Sequence, residues 1–230
     1  FCFPDFYPMP NFFTAVPTIG GFATCPLMPI PAGFTGKVVF QSLGFPPGGG
    51  GTQRLARLLD AGARHGIRFV VTLEDNVFKG IDFFFSKADE TRYRPHVDQT
   101  VARFKDRREI LMWELINEPS CGDGRHDDAC VEVIRDWLRM MARRVKAIDA
   151  CHVVSTGMIG DGNYENEEKS YRMIHRTDAI EILSVHKRSV DTRESELELA
   201  DDEERPIFYG EIYDEIYDEG CQTLGGDRTP

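Results

Sequence analysis

Along most of the chain, apolar residues form two kinds of pattern in alternation, one typical of amphipathic helices and one typical of buried strands. A first helix is predicted with Thr52 near its N-cap. Its apolar face carries these residues at helical spacing: Leu55, Leu58, Leu59 and Ala63. Gly62 is a weak point inside this helix, and Gly66 is expected to end it. The apolar run at residues 67–73 then predicts a buried strand.

The same alternation continues toward the end of the chain. Apolar faces predict further helices within residues 93–104, 134–148, 164–175 and 195–204. Strands are predicted at residues 109–115, 152–156, 179–185 and 206–209. Residues 194–204 are acidic, and we expect them to form an exposed helix face. Mostly apolar strands alternating with helices predict an α/β fold with a parallel sheet covered by helices.

The first fifty residues have a different composition, with most of the 13 prolines, many Gly and Phe, and few charges. Proline limits regular structure, so only residues 11–16 and 37–43 are predicted as strands. Residues 46–51 are predicted to form a flexible loop. We expect residues 1–50 to be the N-terminal part of a single domain spanning 1–230. Because residue 1 is Phe and no leader precedes it, we expect a processed chain or a fragment.

Two architectures fit this alternation: an open doubly wound sheet and a closed (β/α)8 barrel. No GxGxxG or P-loop segment follows any predicted strand, which removes the main support for a nucleotide-binding sheet. Acidic residues at strand ends favour the barrel, because barrel enzymes place their chemistry there. An eighth strand is not evident, so the predicted barrel is incomplete toward the C-terminus of the chain.

Two glutamates stand directly after apolar strands. Glu118 follows the fourth predicted strand and Glu211 follows the seventh. They are separated by about three units of the length expected for one barrel repeat. Both carboxylates are therefore predicted to enter the same C-terminal mouth. The alternative is that each glutamate only caps a helix or pairs with an arginine.

Such a pair suits glycoside hydrolysis. One carboxylic acid protonates the leaving oxygen while a second carboxylate, about 5 to 5.5 Å away in a retaining enzyme, attacks the anomeric carbon. The two roles require different environments, because one group must hold its proton and the other must stay ionised. Asn117, next to Glu118, offers an amide that could hold a sugar hydroxyl.

The segment WELINEP at residues 113–119 resembles the fourth-strand motif of retaining glycosidases of clan A, particularly family 5 endo-β-1,4-mannanases. Shorter segments follow in the family's order at residues 37–45, 65–67, 148–157, 184–186 and 210–211. The resemblance covers about residues 36–215. It implies a barrel in which Glu118 is the acid/base and Glu211 the nucleophile. It also implies that Asn117 contacts the sugar 2-hydroxyl and that His186 forms hydrogen bonds in the site; Trp113 is expected to pack.

The chain departs from the family pattern at two places. Where the family has an arginine late in strand two, this chain has Phe40 and Gln41. Where the family often has His-x-Tyr on strand six, residues 186–188 are His-Lys-Arg. Tyr209 or Tyr213 is a candidate to compensate for the missing tyrosine.

Three functions are therefore considered. The first is a retaining endo-β-1,4-mannanase. The second is a glycosidase acting on β-1,4-glucan, as cellulases do, or on a less common glycan. The third is a catalytically impaired barrel that binds carbohydrate. Glu74, after the third strand, is predicted to line the sugar-binding edge of the same mouth, unless it lies in a solvated turn.

The net charge of −11 argues against nucleic acid or an anionic membrane as the main partner. No apolar run of about 18 residues predicts a membrane span. The six cysteines form no CxxC pair, and the acidic loops lack regular calcium-ligand spacing, so neither a metal nor a cofactor is predicted. Cys121 and Cys130 suit a loop disulfide, which favours secretion over scattered thiols in a cytosolic protein. The sequence does not determine the oligomeric state.

Overall fold

Six strands and five helices alternate along the described part of the chain. This structure, a computed structural model, describes residues 38–41, 49–74, 89–119, 128–158, 167–187 and 194–212. The strands are β1 (Val38–Gln41), β2 (Arg68–Thr72), β3 (Ile110–Glu114), β4 (Val153–Ser155), β5 (Leu183–Lys187) and β6 (Ile207–Ile212). The helices are α1 (Gly49–His65), α2 (Arg94–Phe104), α3 (Asp128–Ile148), α4 (Glu167–His175) and α5 (Glu194–Asp202), and a π-helical turn (Asp89–Tyr93) precedes α2.

All six strands run parallel, and each lies beside the one before it in sequence. β1 to β4 pair in order, and β5 pairs with β6. A parallel bridge between Ser155 and Ile182 joins the two groups. The predicted parallel sheet is therefore confirmed from strand two onward. The strand predicted at residues 11–16 lies outside the described residues.

The two faces of this curved sheet carry separate apolar clusters. Phe69, Val71 and Trp113 belong to the large core that the helices cover. Val70 and Met112, which alternate with them, form a second small cluster with Ile182. Because successive strand residues point to opposite faces, the small cluster marks the inside of the curve. The arrangement is that of a (β/α)8 barrel, of which the described strands form one continuous arc.

Helix α1 differs in detail from its prediction. It begins at Gly49 rather than near Thr52, so residues 49–51 are helical and not loop. Gly51 is buried, and its packing outweighs the low helix propensity of glycine. Ala63 is exposed, because a face centred on Leu55 and Leu59 continues to position 62 instead.

Gly62 is required for packing rather than being a weak point. A Cβ atom at this position would lie 2.4 Å from the Phe69 ring and 2.9 Å from the Ile67 carbonyl oxygen. Gly66 ends the helix as predicted, with a φ of 64° that favours glycine. The Ile67 N–H donates back to the Gly62 carbonyl at 2.9 Å and closes the last turn.

Helix α4 covers Glu167–His175, and its predicted start at Tyr164 lies outside the described residues. Two other predictions need correction. Strand β5 begins at Leu183 and not at Ala179; just before it, the Glu181 carboxylate accepts from the Val154 N–H of β4 at 3.1 Å. The face of α5 is not wholly exposed, since Glu196 is fully buried. None of the described helices is long and apolar enough to cross a membrane.

His175, at the end of α4, is fully buried beneath β4. Its Nδ1 lies 2.9 Å from the Tyr171 carbonyl oxygen, and its Nε2 lies 2.9 Å from the Thr156 hydroxyl. A neutral ring satisfies both contacts, with the first nitrogen donating and the second accepting. Burial lowers the pKa of His175 to about 4; its bond to Tyr171 opposes this, and the nearby positive charge of Arg205 adds to it.

Replacing Gly62 with alanine should destabilise the protein by about 1–3 kcal/mol, because overpacking against Phe69 outweighs the better helix propensity of alanine. Urea unfolding of Gly62→Ala, Phe69→Leu and the double variant measures this. The double variant should lose less than the sum of the single losses, since the smaller side chain removes the clash. Strict additivity would contradict the close approach.

The stability of the protein should fall as the pH drops from about 6.5 to about 4. In this window the unfolded state binds a proton at His175 and the folded state does not, so acidification favours unfolding. The full effect amounts to about 3 kcal/mol. Urea unfolding at several pH values should give a shallower slope for His175→Gln, even though that variant is less stable at neutral pH. Equal slopes would contradict this assignment.

Candidate active site

The segment that leaves β3 carries Asn117 and Glu118 and is held on both sides by backbone hydrogen bonds. The Asn117 N–H donates to the Glu74 carbonyl at 2.8 Å. The Glu118 N–H donates to the Gly157 carbonyl at 2.9 Å. The neighbours of β3 on either side thus fix the position of this segment at the C-terminal end of the strands.

Glu118 itself has a left-handed backbone conformation, with a φ of 47°. This conformation costs a non-glycine residue about 1–2 kcal/mol, so the surroundings must maintain it. Tyr93 contributes, because its hydroxyl donates to the Leu115 carbonyl at 2.6 Å and fixes the chain just before the turn. The Glu118 side chain is 24% exposed. Asn117, predicted to contact substrate, is buried beside it.

Four polar side chains lie at one level inside the barrel, farther from the mouth than Glu118. We call these residues, Thr72, Glu114, Ser155 and Ser184, the polar layer. All four are fully buried. The Glu114 carboxylate accepts from the Thr72 hydroxyl at 2.8 Å on one oxygen. Its other oxygen accepts from Ser184 at 3.1 Å and from Ser155 at 3.5 Å. Hydroxyl donors from three strands thus compensate for removing a carboxylate from water.

His186 lies between the polar layer and the mouth. Its imidazole is fully buried, with Nε2 3.7 Å from Glu114 Oε2 and Nδ1 3.5 Å from Glu118 Oε1. Its backbone N–H donates to the Met158 carbonyl at 3.0 Å, which ties the end of β5 to the chain after β4. His186, predicted from the sequence as a site residue, therefore contacts Glu118 directly.

Glu211 lies within β6 and not after it, and its backbone is beside that of His186. Val185 pairs with Tyr209, but the next pair is His186 with Glu211. A bulge therefore skips Gly210 and brings Glu211 into register with His186. Bulges of this kind are common beside active sites, where they redirect a residue. Tyr213, the other predicted tyrosine, lies outside the described residues.

Glu74 stands at the end of β2 and joins the site through its backbone bond to Asn117. Its side chain is partly buried. Burial lowers the pKa of the neighbouring His96, and the negative charge of Glu74 opposes that shift. Glu74 therefore stands at the carboxyl end of β2 next to Asn117, and its contact with sugar stays a prediction.

Trp113 packs in the helix-facing core, as expected, and has a polar partner at the opposite end of the barrel. Its indole N–H donates to Asp149 at 2.8 Å, and His152 Nδ1 lies 2.7 Å from the same oxygen. Burial raises the pKa of Asp149, but the hydrogen bonds from His152 and Trp113 outweigh it and lower that pKa to about 2. This cluster joins α3 to β3 and β4, away from the mouth.

Sequence reasoning missed the polar layer. A signal was present, because Glu114 is a charged residue within an otherwise apolar strand, and Thr72, Ser155 and Ser184 are hydroxyl residues on neighbouring strands. Within the described ranges, no group of three or more His, Cys, Asp or Glu side chains is arranged to hold a metal ion.

A family profile described as "GH family 5 beta-mannosidase-like" matches residues 72–190. This range covers half of the chain and includes Glu118, the polar layer and His186. The chain belongs to this family. The resemblance noted from WELINEP is thus confirmed.

The chain is similar to a probable mannan endo-1,4-beta-mannosidase A-2 from Aspergillus terreus, with 28% identity over 50% of this chain and 33% of that protein. Mannan endo-1,4-beta-mannosidase 4 from Oryza sativa is 28% identical over 54% of this chain and 31% of its own. The chain thus spans about a third of the length of these relatives.

Solved structures support the barrel fold. An endo-beta-1,4-mannanase from Thermotoga petrophila superimposes with a TM-score of 0.58 at 18% identity, over 68% of this chain and 44% of that one. An endo-1,4-beta-mannanase from Rhizomucor miehei gives 0.54 at 19% identity, over 67% and 57%. The fold of this family 5 chain is therefore a (β/α)8 barrel, seen here in part.

Gly157 is predicted to be essential for placing Glu118. Its φ is 82°, and a Cβ atom would lie 2.1 Å from the Ile116 carbonyl oxygen. Gly157→Ala should therefore lose more than the about 1–2 kcal/mol expected for backbone strain alone. Urea unfolding checks this against Gly66→Ala, because Gly66 has a φ of 64° and nothing within 4 Å of the added atom. Equal losses in the two variants would contradict the steric argument.

Proposed function

We propose that the protein is a retaining glycoside hydrolase that cleaves β-1,4-linked mannan, with Glu118 as acid/base and Glu211 as nucleophile. One observation carries the proposal: His186 contacts the Glu118 carboxylate and is the register partner of Glu211. The strand register thus supports a site in which Glu118 and Glu211, from separate strands, act beside the same histidine. Family membership supports the same reaction.

The chemistry proceeds in two displacements. In the first, the Glu211 carboxylate attacks the anomeric carbon and forms a glycosyl ester while the glycosidic C–O bond breaks. The bond's electron pair goes to the leaving oxygen, which takes the proton from Glu118. In the second, Glu118 as a carboxylate removes a proton from water, and the water oxygen attacks the same carbon and releases Glu211. The configuration is retained, and no cofactor is needed.

Mannan is the proposed substrate because the relatives from Aspergillus terreus and Oryza sativa are both named as mannan endo-1,4-beta-mannosidases. Asn117 is assigned to the sugar 2-hydroxyl, the position at which mannose and glucose differ. Its burial beside Glu118 and its fixed backbone support that assignment. Glu74, Tyr209 and Tyr213 are proposed to contact neighbouring parts of the sugar chain.

A barrel that binds carbohydrate without cleaving it is the second candidate. It is favoured by Phe40 and Gln41, which stand in β1 where the family pattern has an arginine. The same departure fits activity on β-1,4-glucan or on a less common glycan. Assays on several glycans distinguish these cases.

We also infer that the protein acts in an oxidising compartment outside the cell. Cys130 and Cys151, the two cysteines among the described residues, are both disulfide-bonded. Disulfides persist mainly in secreted proteins. Pairing of Cys130 with Cys121 remains a prediction, because Cys121 lies outside the described residues.

The protein should release reducing ends from β-1,4-mannan faster than from β-1,4-glucan. Glu118→Gln should lower kcat/KM on mannan by about 10²- to 10⁴-fold, because the leaving oxygen loses its proton donor. Glu211→Ala should lower it further, since no nucleophile remains. A reducing-sugar assay measures both, and NMR of the first product should show the β-anomer.

Glu198→Gln, which changes an exposed carboxylate on α5, is the control and should retain full activity. Binding of mannan without cleavage by the intact protein would contradict the proposal and favour the second candidate. Initial release of the α-anomer would contradict retention.

A further inference from the structure

Glu114 is a fully buried carboxylate with no role in the two displacements just described. Burying a carboxylate is costly unless donors surround it. Here Thr72, Ser155 and Ser184 supply those donors from β2, β4 and β5, so three strands each contribute one hydroxyl to this group. A buried apolar residue would fill the same space without this requirement.

The carboxylates of Glu114 and Glu118 both lie within 4 Å of a ring nitrogen of His186. They lie on opposite edges of the ring: Glu114 faces Nε2 and Glu118 faces Nδ1. The ring is fully buried, whereas Glu118 reaches the solvent-accessible mouth with 24% of its side chain exposed. Glu114, His186 and Glu118 therefore form a line from the closed interior to the mouth.

We propose that Glu114 is a positioning residue: its carboxylate, fixed by the hydroxyls of three strands, orients the His186 imidazole and selects the tautomer that it presents to Glu118. The inference deepens the proposed function and rests on it. Glu114 touches no substrate and acts only through His186.

The tautomer follows from the charge that faces each ring nitrogen. At 3.7 Å the Glu114 carboxylate is too far from Nε2 for a hydrogen bond, so it acts through its negative charge, which favours the imidazole with its proton on Nε2. Nδ1 is then an acceptor facing Glu118. This arrangement suits Glu118 in the carboxylic acid form, which the first displacement requires, because that acid can donate to Nδ1 until a leaving oxygen takes the proton.

Glu114→Gln should reverse this tautomer preference while nearly preserving the shape of the side chain. The neutral amide removes the negative charge facing Nε2, so the ring proton moves to Nδ1. Nδ1–H then donates to Glu118 and favours its carboxylate form, which cannot protonate a leaving group. The defect should therefore depend on how much protonation the leaving group needs.

The test compares two substrates by kcat/KM, which for both reports the first displacement. β-1,4-mannopentaose has a sugar leaving group that needs a proton, whereas dinitrophenyl β-mannobioside has one that leaves without it. Glu114→Gln should lower kcat/KM about 10- to 100-fold on mannopentaose, part of the full general-acid contribution. On the dinitrophenyl substrate the change should be at most about threefold, a small part of that contribution. Ser184→Ala should shift the same ratio in the same direction by a smaller factor.

Asp149→Asn is the matched control, because Asp149 is also a buried carboxylate bonded to β3 but lies at the opposite end of the barrel. Its effect on the two substrates should be equal. Equal losses on both substrates for Glu114→Gln would overturn the inference while leaving the proposed function intact. If Glu114→Gln does not fold, an unchanged ratio in Ser184→Ala would overturn it. No hydrolysis of either substrate by the intact protein would overturn the proposed function and this inference with it.

Discussion

The site depends on the register of parallel strands around the inside of a curve. Thr72 pairs with Glu114, and Glu114 pairs with Ser155, so their inward side chains lie at one level. A shift of one residue in β3 would turn Glu114 toward the helices and bring Trp113 inward. The large helix-facing core, with Trp113 at its centre, therefore holds the polar residues in place from the other side of the sheet.

The side chains inside the barrel change from apolar to polar along its axis. Val70, Met112 and Ile182 fill its lower part with apolar side chains, the polar layer follows, and Glu118 stands at the mouth. Water is excluded below the mouth, so interactions among the buried charges and hydroxyls are stronger there than in solvent. The strained backbone of Glu118 is consistent with a rigid site, since such strain persists only where the surrounding contacts hold the residue in place.

Much of this architecture could be predicted from periodicity, because each strand and helix buries one regular face. Leu55 and Leu59 located α1, and Glu118 located the end of β3, whereas Glu211 lies inside β6 and not after it. Close contacts could not be predicted: the need for glycine at position 62 arises from a Phe69 ring that only the folded chain brings near. The burial of Glu196 likewise depends on tertiary packing, which overrides the expectation that an acidic helix faces solvent.

Because of the bulge between β5 and β6, the position of Glu211 depends on the number of residues in β6 as well as on their identity. Replacing Gly210 changes a side chain, but removing it would abolish the bulge and make Glu211 directly follow Tyr209, so that these two residues would face opposite sides of the strand. The segment around residue 210 should therefore tolerate variation in residue type far better than insertion or deletion. For any protein redesigned on this scaffold, residue count in β6 is as strict a constraint as the identity of the glutamate.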